Sequence, residues 1–96
     1  MRLDELTEEE LKQDLQVPEQ LKIARVYKEE QSVKEIFWDY DKKHFRTYVE
    51  RYSQTFTVDV QPDVKLNIIK TACSCGRGEA PCVHVLTSLL HMSDYN

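Results

Sequence analysis

The stretch whose reading decides the fold is Cys73-Ser74-Cys75-Gly76-Arg77-Gly78-Glu79-Ala80-Pro81-Cys82-Val83-His84. It holds all three cysteines of the chain, both glycines and one of the three histidines. Three thiols and an imidazole make a four-donor set of the kind a structural zinc ion takes. In a straight strand Cys73 and Cys75 would point to one side but stand roughly 6–7 Å apart. Two sulfurs on one zinc, each about 2.3 Å from it, need to lie roughly 4 Å apart. The chain therefore has to curl at Cys75, and Gly76 and Gly78 permit the positive-φ backbone that such a curl uses. Cys82 and His84 pose the opposite problem, because two residues apart on a helix point to nearly opposite sides. They can share a metal only where the chain enters a helix, and Pro81 suits that entry.

Competing readings of these residues are weaker. An odd number of cysteines argues against a disulfide framework. No signal peptide is evident to carry the chain to an oxidising compartment. A nucleophilic Cys–His pair needs a third, orienting group, and none is apparent. A closed set of three cysteines and one histidine also leaves the metal no vacancy for water, so one structural zinc ion is expected and not a catalytic one.

The pattern Cys73-x-Cys75, six residues, Cys82-x-His84 and then an apolar helix resembles the SWIM zinc finger, a family named for SWI/SNF-type ATPases and MuDR transposases. All four ligand positions, Cys73, Cys75, Cys82 and His84, match its CxC…CxH motif. A looser similarity of element order runs from about Ile23 to Met92. It resembles the SWIM module that precedes bacterial SWI/SNF-type helicases. The resemblance implies a zinc-bound module that contacts DNA or a protein, accessory to a helicase-like or DNA-processing protein.

Ninety-six residues with 41% apolar content fit one domain, 1–96, with a modest core. A chain this short benefits from a metal staple. No apolar run approaches the 18 or so residues of a membrane span. The expected setting is intracellular, cytoplasmic or nuclear, where thiols stay reduced, and the expected state is a monomer or one module of a larger protein. The net charge is −4, and all of it lies in residues 1–30, with five basic against nine acidic side chains. Residues 31–96 balance at eight of each sign. Net charge alone therefore does not decide between nucleic acid and protein as partner.

The sequence pattern predicts an α+β fold: N-terminal helices, an antiparallel meander of about four strands, and a zinc-stapled strand-loop-helix. Its parts are a helical acidic segment at 1–30, the meander at 32–71 and the zinc finger at 72–93. Thr7 reads as an N-cap with Glu10 completing a capping box, and Leu6 reads as a staple onto Leu11. Val17-Pro18 breaks this helix and opens a second one. Its apolar stripe reads as Ile23, Val26 and Tyr27, with Ala24 beside it. The period then alternates. Ile36, Trp38 and Tyr40 share one face of the first strand, with Asp41-Lys42-Lys43 as a hairpin turn. Phe45, Thr47 and Val49 share a face of the second, and Phe56, Val58 and Val60 of the third. Leu66 and Ile68 mark the last strand, and Leu86, Leu89 and Leu90 form the sheet-facing side of the final helix.

Nucleic-acid contacts, if made, would fall on Lys42, Lys43 and Arg46 at the first hairpin and on Arg77 in the zinc loop. Trp38, Tyr40, Tyr48 and Tyr52 are nearby aromatics able to stack on bases. His44 and His91 are not needed as ligands, because the four-donor set is complete. The alternative is a protein–protein module in which the acidic helices dock a partner and zinc is purely structural. An enzyme is not expected. There is no phosphate loop, no open metal position, no paired carboxylates and no sign of a small-molecule substrate.

Overall fold

The computed structural model describes residues 1–76 and 82–94. A 3₁₀ turn at Leu3–Glu5 leads into α1 (Glu8–Leu15) and α2 (Pro18–Glu29). Four strands follow: β1 (Val33–Asp39), β2 (His44–Arg51), β3 (Gln54–Pro62) and β4 (Ile68–Cys73). α3 (Val83–Ser93) closes the described chain. The strands form one antiparallel sheet in the order β1-β2-β3-β4. The fold is α+β, as the sequence pattern predicts.

Local chemistry explains the boundaries. Thr7 caps α1, its hydroxyl accepting the Glu10 N–H at 3.2 Å. Leu6 and Leu11 are both buried, as a staple across this cap requires. Gln16, with φ 51°, ends α1 in a left-handed residue, and Pro18 opens α2 where its missing N–H costs nothing. In the β1–β2 hairpin Asp39 Oδ1 accepts the N–H groups of Asp41 and Lys42, both at 3.0 Å. The β3–β4 loop is organised the same way, with Asp63 Oδ1 accepting from the N–H groups of Lys65 at 2.8 Å and Asn67 at 3.0 Å.

The core lies between the sheet and the helices. Val49, Val58 and Val60 face α3, with Thr47 in the same row. Val85 to Leu90 are all buried, so α3 is covered on all sides, by the sheet and by α2. The two hydroxyls in this region are satisfied locally: Thr87 Oγ1 donates to the Val83 carbonyl at 2.7 Å, and Ser88 Oγ meets Thr47 Oγ1 at 2.6 Å. The N-terminus joins the sheet. Ile68 N–H donates to the Met1 carbonyl and Leu3 N–H to the Leu66 carbonyl, both at 2.7 Å, so residues 1–3 pair with the start of β4. Leu3, Trp38, Phe45, Leu66 and Met92 line an apolar groove of about 590 Å³ at this end of the sheet.

Three details depart from the sequence pattern. The buried side of α2 is Leu21 and Ala24, whereas Ile23 and Val26 are 44% and 49% exposed. Ala24 has no bulk to hold α3 away, and seating α3 there turns Ile23 and Val26 outward. Leu66 lies in the β3–β4 loop with φ 68° and is not a strand residue, because Asp63 and Asn67 close the turn around it. Tyr40 lies in the hairpin turn, 83% exposed, because β1 ends at Asp39 where the carboxylate caps the turn.

The α2 assignment sets a stability contrast. Leu21→Ala should cost about 2–4 kcal/mol, while Ile23→Lys should stay within about 0.5 kcal/mol of the parent. Denaturant midpoints of the two variants check this, and a larger loss for Ile23→Lys than for Leu21→Ala would place α2 the other way round.

Candidate metal centre

Cys73 is the last residue of β4, paired with Val58 on the central β3. The ladder runs one residue further. Ser74 N–H donates to the Thr57 carbonyl at 3.0 Å, and Thr57 N–H donates to Ser74 Oγ at 2.9 Å. The chain then reverses, with Gly76 N–H reaching the Cys73 carbonyl at 3.4 Å. Gly76 has φ +70° and open space where a Cβ would sit, so glycine is favoured there by backbone conformation and not by crowding. This is the curl that two cysteines on one ion require. Gly78, Arg77 and Pro81 lie outside the described residues.

On the far side of the loop, Cys82 is the N-cap of α3, with extended backbone at φ −77° and ψ 170°. Its carbonyl accepts the first helical N–H, from Leu86, at 3.1 Å. His84 lies in the first turn. One cap residue and one first-turn residue can converge where two mid-helix residues could not, and the positive helix end favours a thiolate there.

The donor atoms of Cys73, Cys75, Cys82 and His84 all lie within 4.8 Å of one another. His84 Nδ1 is 3.7 Å from Cys73 Sγ and 3.8 Å from Cys82 Sγ. A tetrahedral zinc with Zn–S about 2.3 Å and Zn–N about 2.0 Å sets such sulfur–nitrogen edges at roughly 3.5 Å. The cluster therefore has the size of the ion, with Nδ1 the inward nitrogen. Phe56 on β3 stacks on the imidazole with centroids 3.9 Å apart and planes 16° apart, which fixes the ring orientation. The alternating pattern marked Phe56 as a core residue. Its packing against His84 has no sequence signature, because it depends on β3 passing under the start of α3.

The electrostatics suit a metal that must compete with protons. Burial pushes the Cys73 thiol up to about 12 and raises Cys82 for the same reason. Without metal both thiols are protonated at neutral pH. Bound zinc supplies the compensating positive charge and holds β4 to α3.

The other residues marked by sequence lie elsewhere. Lys42 and Lys43 are exposed at the β1–β2 hairpin. Thr47 pairs with Val58, the partner of Cys73, and β2 begins three residues before it at His44. The hairpin is therefore at least roughly 10 Å along the strands from the cluster and two strands across. Arg46 is held by Asp59 in a two-pronged ion pair, Nε–Oδ1 at 2.8 Å and Nη2–Oδ2 at 3.2 Å. That hydrogen bonding raises its pKa above the usual guanidinium value. His44 Nε2 stands 3.4 Å from the same carboxylate, and His91 lies in the last turn of α3.

Residues 56–92 match the model of the SWIM zinc finger family. The matched stretch contains Phe56, β4, all four donors and nearly all of α3. No curated protein and no solved structure matches the chain. The chain thus carries a SWIM zinc finger over these residues, and with its Cys/His cluster at ion-binding distance it is a zinc-binding module with one structural zinc ion. Such a finger is a small binding module and not a catalytic domain. No helix among the described residues is long and apolar enough to cross a membrane.

The raised thiol pKa values give the metal-loaded and metal-free forms opposite responses to pH. Zinc displaces thiol protons, so its affinity should climb between about pH 6 and pH 8 by roughly 2–3 log units per pH unit. In the metal-free protein a folded-state pKa near 12 for Cys73 means stability that is intact below the ordinary thiol pKa and lost as pH rises above it. Competition titrations with a zinc chelator and thermal unfolding of the stripped protein test the two signs.

Proposed function

We propose that the chain is a zinc-stabilised nucleic-acid-binding module, with Cys73, Cys75, Cys82 and His84 each giving one bond to the ion. Its place is as an accessory to a helicase-like or DNA-processing protein. The resemblance in element order supports that context. The observation that carries the nucleic-acid reading is the end of the sheet opposite the metal. Antiparallel topology brings the β1–β2 hairpin and the β3–β4 loop to this one end. Lys42, Lys43, Lys65 and Lys70 all lie there, and none is in an ion pair among the described residues.

Three of the acids at this end, Asp39, Asp59 and Asp63, are turned to structural work, while Asp41 is exposed in the hairpin. The Lys42 backbone N–H holds the Asp39 carboxyl below its usual range, and the Asn67 side chain does the same for Asp63. Asp59 is engaged by Arg46. Arg46 thus contributes to the sheet, while Lys65 and Lys70, which the sequence pattern did not mark, join Lys42 and Lys43. Lys70 and His44 line a small polar cleft of about 140 Å³, and Tyr40 stands exposed in the β1–β2 hairpin for stacking on a base. Mobile lysines of this kind make phosphate contacts that are modest and salt-dependent.

A second reading, a protein-interaction module with purely structural zinc, is favoured by the two aliphatic side chains that α2 exposes.

Binding of a short single-stranded DNA across a salt series tests the first reading. Lys42→Glu with Lys43→Glu should weaken binding at least tenfold and reduce the slope of log K against log salt by about 1.4. No binding at low salt, or indifference to the double substitution, would remove it. For the metal, His84→Ala or Cys82→Ser should lose the ion and leave α3 undocked, seen as lost zinc by mass spectrometry and a lower thermal midpoint. A variant that kept one zinc and parental stability would overturn the ligand set.

A further inference from the structure

The β2–β3 hairpin contains an unusual residue choice. Arg51 pairs with Gln54, so the turn is the two residues Tyr52 and Ser53, with φ 50° and 64°. Both are left-handed, the geometry that favours Asn-Gly in this turn type. A tyrosine there is strained, and its ring is 83% exposed. It earns no core packing in return. Strained residues cluster at functional sites, and exposed tyrosines are enriched in binding hot spots.

Tyr52 belongs to a continuous surface. The Arg51 guanidinium carbon lies 4.0 Å from the Tyr27 ring centroid and 5.0 Å from that of Tyr52. Arg51 is anchored by Ser32 Oγ at 3.2 Å and Glu30 Oε2 at 3.3 Å. Tyr27 continues along α2 into Val26 and Ile23, spaced as one helical ridge. The surface thus runs Ile23–Val26–Tyr27–Arg51–Tyr52, a mixture of aliphatic, tyrosine and arginine side chains typical of binding hot spots.

The charges around it select the partner. Arg25, Lys12 and Lys28 are already paired with Glu8, Glu9 and Asp94. On α2, beside the ridge, the side chains outside ion pairs are the acids Glu19 and Glu29 against the single base Lys22. Phosphates are repelled by such a surface and cations attracted. We propose that the ridge of α2 and the Tyr52 turn form a docking site for a basic amphipathic helix of a protein partner. Its apolar face covers Ile23, Val26 and Tyr52, and its lysines or arginines meet Glu19 and Glu29 of α2. A helix is the fitting shape because the site is itself a helical ridge, against which another helix packs ridge into groove. The proposal rests on the protein-interaction reading and is independent of the nucleic-acid one.

The test uses the zinc-loaded protein and three synthetic 18-residue peptides: a Leu/Lys amphipathic helix, its Leu/Glu counterpart and a Ser/Lys peptide without an apolar face. The Leu/Lys helix should shift the amides of Ile23, Val26, Tyr27 and Tyr52, and the other two should bind at least tenfold more weakly. Tyr52→Gly is the decisive variant. It relieves the left-handed tyrosine, so the thermal midpoint should rise by several degrees. Affinity for the Leu/Lys helix should nonetheless fall at least tenfold, with zinc content unchanged. Binding centred on the groove of Leu3, Trp38 and Met92 would overturn this site while leaving the interaction reading standing. No binding by any peptide would count against both. Self-association through the same residues in sedimentation, or shifts there caused by single-stranded DNA, would also overturn the proposal.

Discussion

The structure depends on closing a gap between the last strand and the last helix. β4 ends at Cys73 and α3 begins after Cys82, and the four donors lie at the two ends of the loop between them. Three thiols and one imidazole placed within 4.8 Å of one another supply that closure, but only with a cation among them. Buried thiols alone stay protonated and weakly bonded. With zinc they become charged ligands whose attraction to the ion outweighs the desolvation that burial imposes. The consequences extend past the loop. α3 has eleven residues, too few to persist as an isolated helix, and it is the body against which both the sheet and α2 are packed. An ion at the edge of the fold thereby secures a helix at its centre.

The surfaces left over after this packing are unlike one another. The open face of the sheet mixes the Arg46–Asp59 ion pair with the Phe37–Tyr48 ring contact. One end of the sheet presents free lysines. The helical side presents free carboxylates with aliphatic side chains among them. A formal charge of −4 averages over these regions and conceals both. Surfaces of unlike charge thus stand apart on one small body, with the sheet between them.

Most of the fold was legible because its signals are local. The strand faces of Phe45-Thr47-Val49 and Phe56-Val58-Val60 follow from a period of two, and Thr7 and Pro18 announce the helix starts through their own chemistry. The metal cluster was legible because ligand type, glycine placement and spacing all constrain one another within twelve residues. What was not legible depends on tertiary contact. The hydrophobic ranking of α2 favoured Ile23 and Val26, but α3 selects the side with the small Ala24. Nothing in the sequence couples Phe56 to His84, or directs Arg46 to Asp59, until the strands are in register. The lysine end was only half visible, since Lys65 and Lys70 join Lys42 and Lys43 through topology.

The meander also bears on how the chain is made. Each strand pairs with its neighbour in sequence, so the sheet can assemble hairpin by hairpin without distant segments having to meet. The helix that covers its apolar face comes afterwards, at Val83–Ser93. On a ribosome, Val49, Val58 and Val60 would be synthesised and paired while the leucines meant to cover them were still in the exit tunnel. During that interval the sheet presents a bare hydrophobic face, and α2, made first, lacks the body it packs on. Docking of α3, which zinc secures at its N-terminus, is then the event that ends this exposure, and a chain denied zinc keeps that face open to association for longer.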